Sequence, residues 1–96
     1  MNVKSSTLNK EMIRKKLALI IQEIGNIEIV DDETSLFSFQ YNLSAESLVY
    51  ILLRAGNEFG FKINDEFIAS LEDYSFHNIL SSVTNQVVAN VTHSNN

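Results

Sequence analysis

The 96-residue sequence predicts an all-α fold: a small bundle of three main helices and one short helix, with a long loop between helices one and two. Apolar residues recur at helical spacing in three separated stretches, the pattern of helices with one buried face. Proline is absent, so nothing breaks those stretches from within. A single run, residues 37–43, alternates with the period of a strand, and no second run exists to pair with it. At 45% hydrophobic and 20% charged, the chain is apolar enough to bury a core. Its length suits one domain. We place that domain at 7–88, with 1–6 and 89–96 as frayed ends.

The first helix is expected from Thr7 to Ile24. Ile13, Leu17, Ile20, Ile21 and Ile24 form its buried stripe, and Arg14, Lys15 and Lys16 lie on its solvated face. Thr7 or Asn9 is the candidate cap and Gly25 the candidate stop. Residues 26–46 then lack a helical period. Asp31, Asp32 and Glu33 read as a solvated loop rather than a metal site, because three adjacent carboxylates rarely converge on one ion without further ligands. Phe37, Phe39, Tyr41 and Leu43 read as anchors pinning this loop over the core, since loops of such length inside a compact domain are usually functional or disordered. The second helix runs from Ala45 to Phe59, burying Leu48, Ile51, Leu52, Ala55 and Phe59, and Gly60 ends it. A short helix fits residues 65–71 through Phe67, Ile68 and Leu71. The last begins at Ser75, a good cap, and carries Phe76, Ile79, Leu80, Val83 and Val87 on one face until about Val88.

Charge is divided unevenly. Five of the seven basic residues fall in the first sixteen positions, whereas the remaining chain sets eleven acids against Arg54 and Lys62. Such a body repels nucleic acid and favours basic protein surfaces. Without cysteine, the chain has neither a disulfide framework nor a thiol of its own. No apolar run reaches the roughly 18 residues of a membrane span, and the polar start is unlike a secretory signal. A cytoplasmic protein with no nucleic-acid or membrane partner is expected. His77 and His93 stand apart from any Ser/His/Asp constellation, and no glycine-rich phosphate loop occurs, so an enzyme is not expected.

The informative stretch is Leu43-Ser44-Ala45-Glu46-Ser47-Leu48, where the long loop meets the second helix. After that helix come Asn57-Glu58-Phe59-Gly60 and Ile63-Asn64-Asp65-Glu66. Together these resemble the acyl carrier protein family, whose attachment motif reads Leu-Gly-Ala-Asp-Ser-Leu at the same junction and whose second helix ends in Glu-Glu-Phe-Gly, then Ile-Pro-Asp-Glu. The resemblance covers roughly residues 8–86. It implies that Ser47 carries a 4'-phosphopantetheine arm, transferred from coenzyme A by a phosphopantetheinyl transferase. The arm's thiol would hold an acyl or aminoacyl group as a thioester for a loading enzyme and downstream pathway enzymes. The protein itself would be a monomer and no catalyst. Physics suits a phosphodiester there, because the first turn of a helix has unpaired N–H groups and the positive end of the helix dipole. The same position also suits Ser44 or Ser47 as a plain helix cap.

This sequence departs from the family pattern next to the attachment point: Glu46 stands for aspartate and Ser44 for glycine. The second helix is also short of acids, since its expected recognition residues are Glu46, Leu48, Val49, Tyr50, Leu53, Arg54 and Glu58. Acidic charge moves toward Asp65, Glu66, Glu72 and Asp73 on and after the short helix. Those departures favour a dedicated pathway, such as peptide modification or secondary metabolism, over housekeeping fatty-acid synthesis. An alternative expectation is a carrier-fold interaction module that is never modified and binds through Val49, Tyr50 and Leu53.

Overall fold

The computed structural model describes residues 10–94, with side chains as far as Ala89. Four helices stand in this region: α1 (Lys10–Gly25), α2 (Ala45–Phe59), α3 (Asp65–Ser70) and α4 (Phe76–Ser94). No strand occurs among the described residues, and the one bridge, Ser35 to Ser75, is isolated. None of these helices is long and apolar enough to cross a membrane. The fold is all-α, as the three periodic stretches predict.

The core joins the helical stripes to six residues of the connecting segments, Ile27, Leu36, Tyr41, Leu43, Phe61 and Leu71. Ile13, Leu17, Ile20 and Ile21 of α1, Leu48, Ile51, Leu52 and Ala55 of α2, Phe67 of α3, and Phe76, Ile79, Leu80, Val83 and Val87 of α4 form one buried cluster. Two ion pairs fix α1 and α2 as antiparallel neighbours: Lys16 Nζ to Glu58 Oε2 and Glu23 Oε1 to Arg54 Nη2, each at 2.9 Å. Residues early in α1 therefore meet residues late in α2.

Local chemistry sets most of the ends. Ser44 caps α2 in an extended conformation, its side chain accepting the Ser47 N–H. Gly60 closes that helix at φ 79°, with the amides of Gly60 and Phe61 both directed to the Gly56 carbonyl. Asn64 caps α3 by accepting the Phe67 N–H. Ser75, fully buried, caps α4 by accepting the Asn78 N–H.

Three expectations are corrected. Gly25 is not the stop of the first helix; it is the last helical residue, and Asn26 turns the chain out at φ 56° with its N–H on the Gln22 carbonyl. A Cβ at Gly25 would sit 2.8 Å from Leu43 Cδ1, the end of a flexible side chain that would have to shift. The last helix continues past Val88 to Ser94, six residues beyond the expected end. Of the four loop anchors the alternation suggested, Tyr41 and Leu43 are in the core and Phe37 and Phe39 are not. Phe39 is 101% exposed and Phe37 is 40% exposed, whereas Leu36, Tyr41 and Leu43 are buried. A turn over 38–42, with the Tyr41 N–H bonded to the Ser38 carbonyl, breaks the alternation and swings Phe39 outward. The caps expected at Thr7 or Asn9, and the frayed ends at 1–6 and 95–96, lie outside the described residues.

Candidate functional site

The site is assembled by the loop that feeds α2. Two clasps hold it. In the first, Arg14 of α1 grips Asp32 through both guanidinium nitrogens at 2.7 and 3.0 Å and lies over the Phe76 ring, 5.1 Å from its centroid. The hydrogen bonds from Arg14 hold the Asp32 carboxyl below the usual carboxylate range, against the opposing effect of partial burial. In the second, the buried Tyr41 phenol accepts the Val30 and Asp31 N–H groups at 3.0 and 2.8 Å and donates to the Asp31 carbonyl at 3.0 Å. Asp31 itself accepts from the Glu33 amide and the Thr34 hydroxyl. Thus Arg14 and the acids at 31–33 are not simply a solvated face and a solvated loop: Arg14 and Asp32 join residues 18 positions apart. No local sequence signal announces that pair.

From Tyr41 the chain passes through Asn42 (φ 51°) to Leu43, whose N–H returns to the Leu36 carbonyl, and then to Ser44. The junction motif therefore divides its roles. Ser44 is the cap. Ser47 is the third residue of α2, half-buried, with its amide already taken by Ser44 Oγ at 3.0 Å. The first-turn amides of Ala45 and Glu46 have no partner one turn back, as at any helix start. Glu46 is exposed in that same turn.

Helical geometry sorts the expected recognition residues into three sets. Val49, Tyr50 and Leu53 are 53%, 54% and 52% exposed and form one apolar stripe, headed by Glu46. Ser47, Arg54 and Glu58, seven and eleven positions apart, share the flank turned toward α1. On that flank Arg54 is paired with Glu23 and Glu58 with Lys16, so both charges are partly engaged. The bond from Lys16 also keeps the Glu58 carboxyl below its ordinary range. Leu48 is buried in the core and drops out of the recognition set. Of the acids expected to shift toward the short helix, Asp65, Glu66 and Glu72 are exposed. Asp73 is occupied in the turn before α4, accepting from the Ser75 amide and Asn78 Nδ2.

Sequence reasoning missed Tyr41 as a polar clasp, because periodicity reports burial and not what a hydroxyl bonds to. Comparison with protein-family models gave no match, and comparison with curated proteins gave none either.

Proposed function

We propose that this chain is a carrier protein whose Ser47 bears a phosphopantetheine arm in the first turn of α2, beside an apolar face that partner enzymes grip. The observation that supports it is the position of the motif serine. Ser47 lies within the opening turn of a 15-residue helix, on a segment fixed by the Arg14–Asp32 and Tyr41 clasps. A phosphodiester placed there meets the positive end of the helix dipole and two amides without intrahelical partners. The transferase supplies the chemistry, so the carrier needs no base of its own. The arm holds an acyl or aminoacyl group as a thioester and presents it to the loading and downstream enzymes.

The makeup of α2 points to a dedicated pathway. Its exposed stripe is Val49, Tyr50 and Leu53, and the charges on its flank are already paired. Partners therefore grip by apolar contact with a polar rim more than by charge.

One observation favours a second reading, a carrier-fold interaction module that is not modified. Ser44, not Ser47, occupies the helix cap, and Ser47 is a half-buried residue on the flank toward α1. Both readings keep the Val49/Tyr50/Leu53 docking face and differ only at Ser47. Intact-mass spectrometry after incubation with coenzyme A and a permissive phosphopantetheinyl transferase separates them. The carrier gains one phosphopantetheinyl group and Ser47→Ala does not; wild type left at its apo mass by several transferases identifies the unmodified module.

A further inference from the structure

Ser47, Tyr50 and Arg54 follow one another in α2 at intervals of three and four residues, the spacing that sets successive side chains of a helix side by side. The row spans about 10 Å of helix. Two of its members are open. Tyr50 is 54% exposed, and neither a hydrogen bond nor a ring contact ties it to another described residue. Arg54 is held through one nitrogen, Nη2 to Glu23 Oε1 at 2.9 Å, whereas Arg14 uses two on Asp32. The Arg54 side chain is 49% exposed, so the other N–H donors of its fork remain for a further acceptor. Glu58, four positions on, is bonded to Lys16 rather than to Arg54.

Direction and angle single out this row. Helical side chains lean toward the N-terminus of their helix, so Tyr50 and Arg54 cover the turns leading back to Ser47. Tyr50 and Arg54 stand only about 60° and 20° round the helix from Ser47, against about 160° for Val49 and 120° for Leu53. A group fixed on Ser47 Oγ therefore meets an aromatic ring first and a cationic donor second. Phosphopantetheine carries the matching order. After the phosphodiester comes a carbon bearing two methyl groups, which suits the face of a tyrosine ring. A hydroxyl and an amide follow, and the amide carbonyl is an acceptor for a guanidinium.

Resting on the carrier reading, we propose that Tyr50 and Arg54 form a track along α2 that holds the phosphopantetheine arm of Ser47, with the arm's methyl groups on the Tyr50 ring and its first amide carbonyl accepting from Arg54. The arm and the Glu23 carboxylate then share one guanidinium. Tyr50 also belongs to the exposed stripe, so a partner seated on Val49, Tyr50 and Leu53 takes the ring from the arm and releases it.

The test uses full-length protein loaded from isotope-labelled coenzyme A by a permissive transferase, with intact mass confirming the arm. Nuclear Overhauser contacts should join the arm's methyl protons to the Tyr50 ring. The first arm amide should show an order parameter above about 0.6, the upper limit for flexible chain. Arg54→Gln and Tyr50→Ala should each drop it below that value. Both side chains are about half exposed, so both variants should melt within a few degrees of wild type. Glu23→Gln removes the ion pair, keeps the guanidinium and should leave the arm ordered, which separates arm binding from the pairing of α1 with α2. An attached arm that is flexible and makes no contact with Tyr50, or an ordered arm that Arg54→Gln leaves unchanged, would overturn the track and leave the carrier reading standing. A chain that takes no arm from any of several transferases overturns both.

Discussion

Tyr41→Phe removes one oxygen atom and leaves the ring in place. The phenol is the partner of two backbone N–H groups, Val30 and Asp31, and the donor to the Asp31 carbonyl. Losing it strands both donors in a partly buried setting. An unsatisfied buried group costs about 1–3 kcal/mol, and partial access of water brings two such groups to a combined loss of about 2–3 kcal/mol. For a domain of this size each kcal/mol lowers Tm by about 4–8 °C, so a fall of about 10–20 °C is expected. Urea unfolding at 25 °C followed by circular dichroism measures the loss directly. The denaturant slope should stay at the wild-type value, since the folded state keeps its shape. Amide resonances of Val30 and Asp31 should move most among the loop signals. A loss below about 0.5 kcal/mol, the scatter of ordinary surface substitutions, would refute the claim that the phenol holds the loop feeding α2.

Other perturbations test the rest of the packing. Gly56→Ala places a Cβ 2.7 Å from the Phe61 carbonyl oxygen, a backbone atom that cannot step aside. Overpacking of about 1–3 kcal/mol should outweigh the roughly 1 kcal/mol gained in helix propensity, giving a net loss by urea unfolding. Phe39→Ser should change stability by less than about 0.5 kcal/mol because the ring is fully exposed. Leu36→Ala, at a fully buried position, should cost about 2–5 kcal/mol in the same assay. The Asp32 carboxyl titrates below its unfolded value because Arg14 bonds its charged form, so its contribution is complete above the unfolded pKa of about 4 and disappears as pH falls through the lower folded value. Unfolding measured from pH 5 to pH 2 should therefore fall less steeply in Asp32→Asn than in wild type. Some slope should remain from Asp31, Glu58 and Asp73, which are lowered by their own hydrogen bonds.

The parts of the fold legible in the sequence are those fixed by neighbours along the chain. The bounds of α2, Ala45 to Phe59, follow from a serine three residues ahead of the amide it caps and a glycine that takes positive φ at the far end. Ser75 announces α4 in the same way. Gly25 misleads because the left-handed turn falls one residue later, at Asn26, where asparagine tolerates it. Phe39 misleads because alternation assumes an extended chain, and the turn at 38–42 is not extended. The Arg14–Asp32 clasp joins α1 to the loop, and each residue alone looks like surface charge. At the candidate site the motif finds the junction. Which serine caps the helix is decided by the spacing from Ser44 Oγ to the Ser47 amide, a reading the sequence allows equally for either residue.

The tethering claim is tested most directly on the protein as its own cells make it, purified without added transferase and fragmented in the mass spectrometer. The account predicts a population heavier by one phosphopantetheinyl group, with the added mass on the fragment containing Ser47. A uniformly unmodified chain, or an added group that maps to Ser44 or elsewhere, would contradict it.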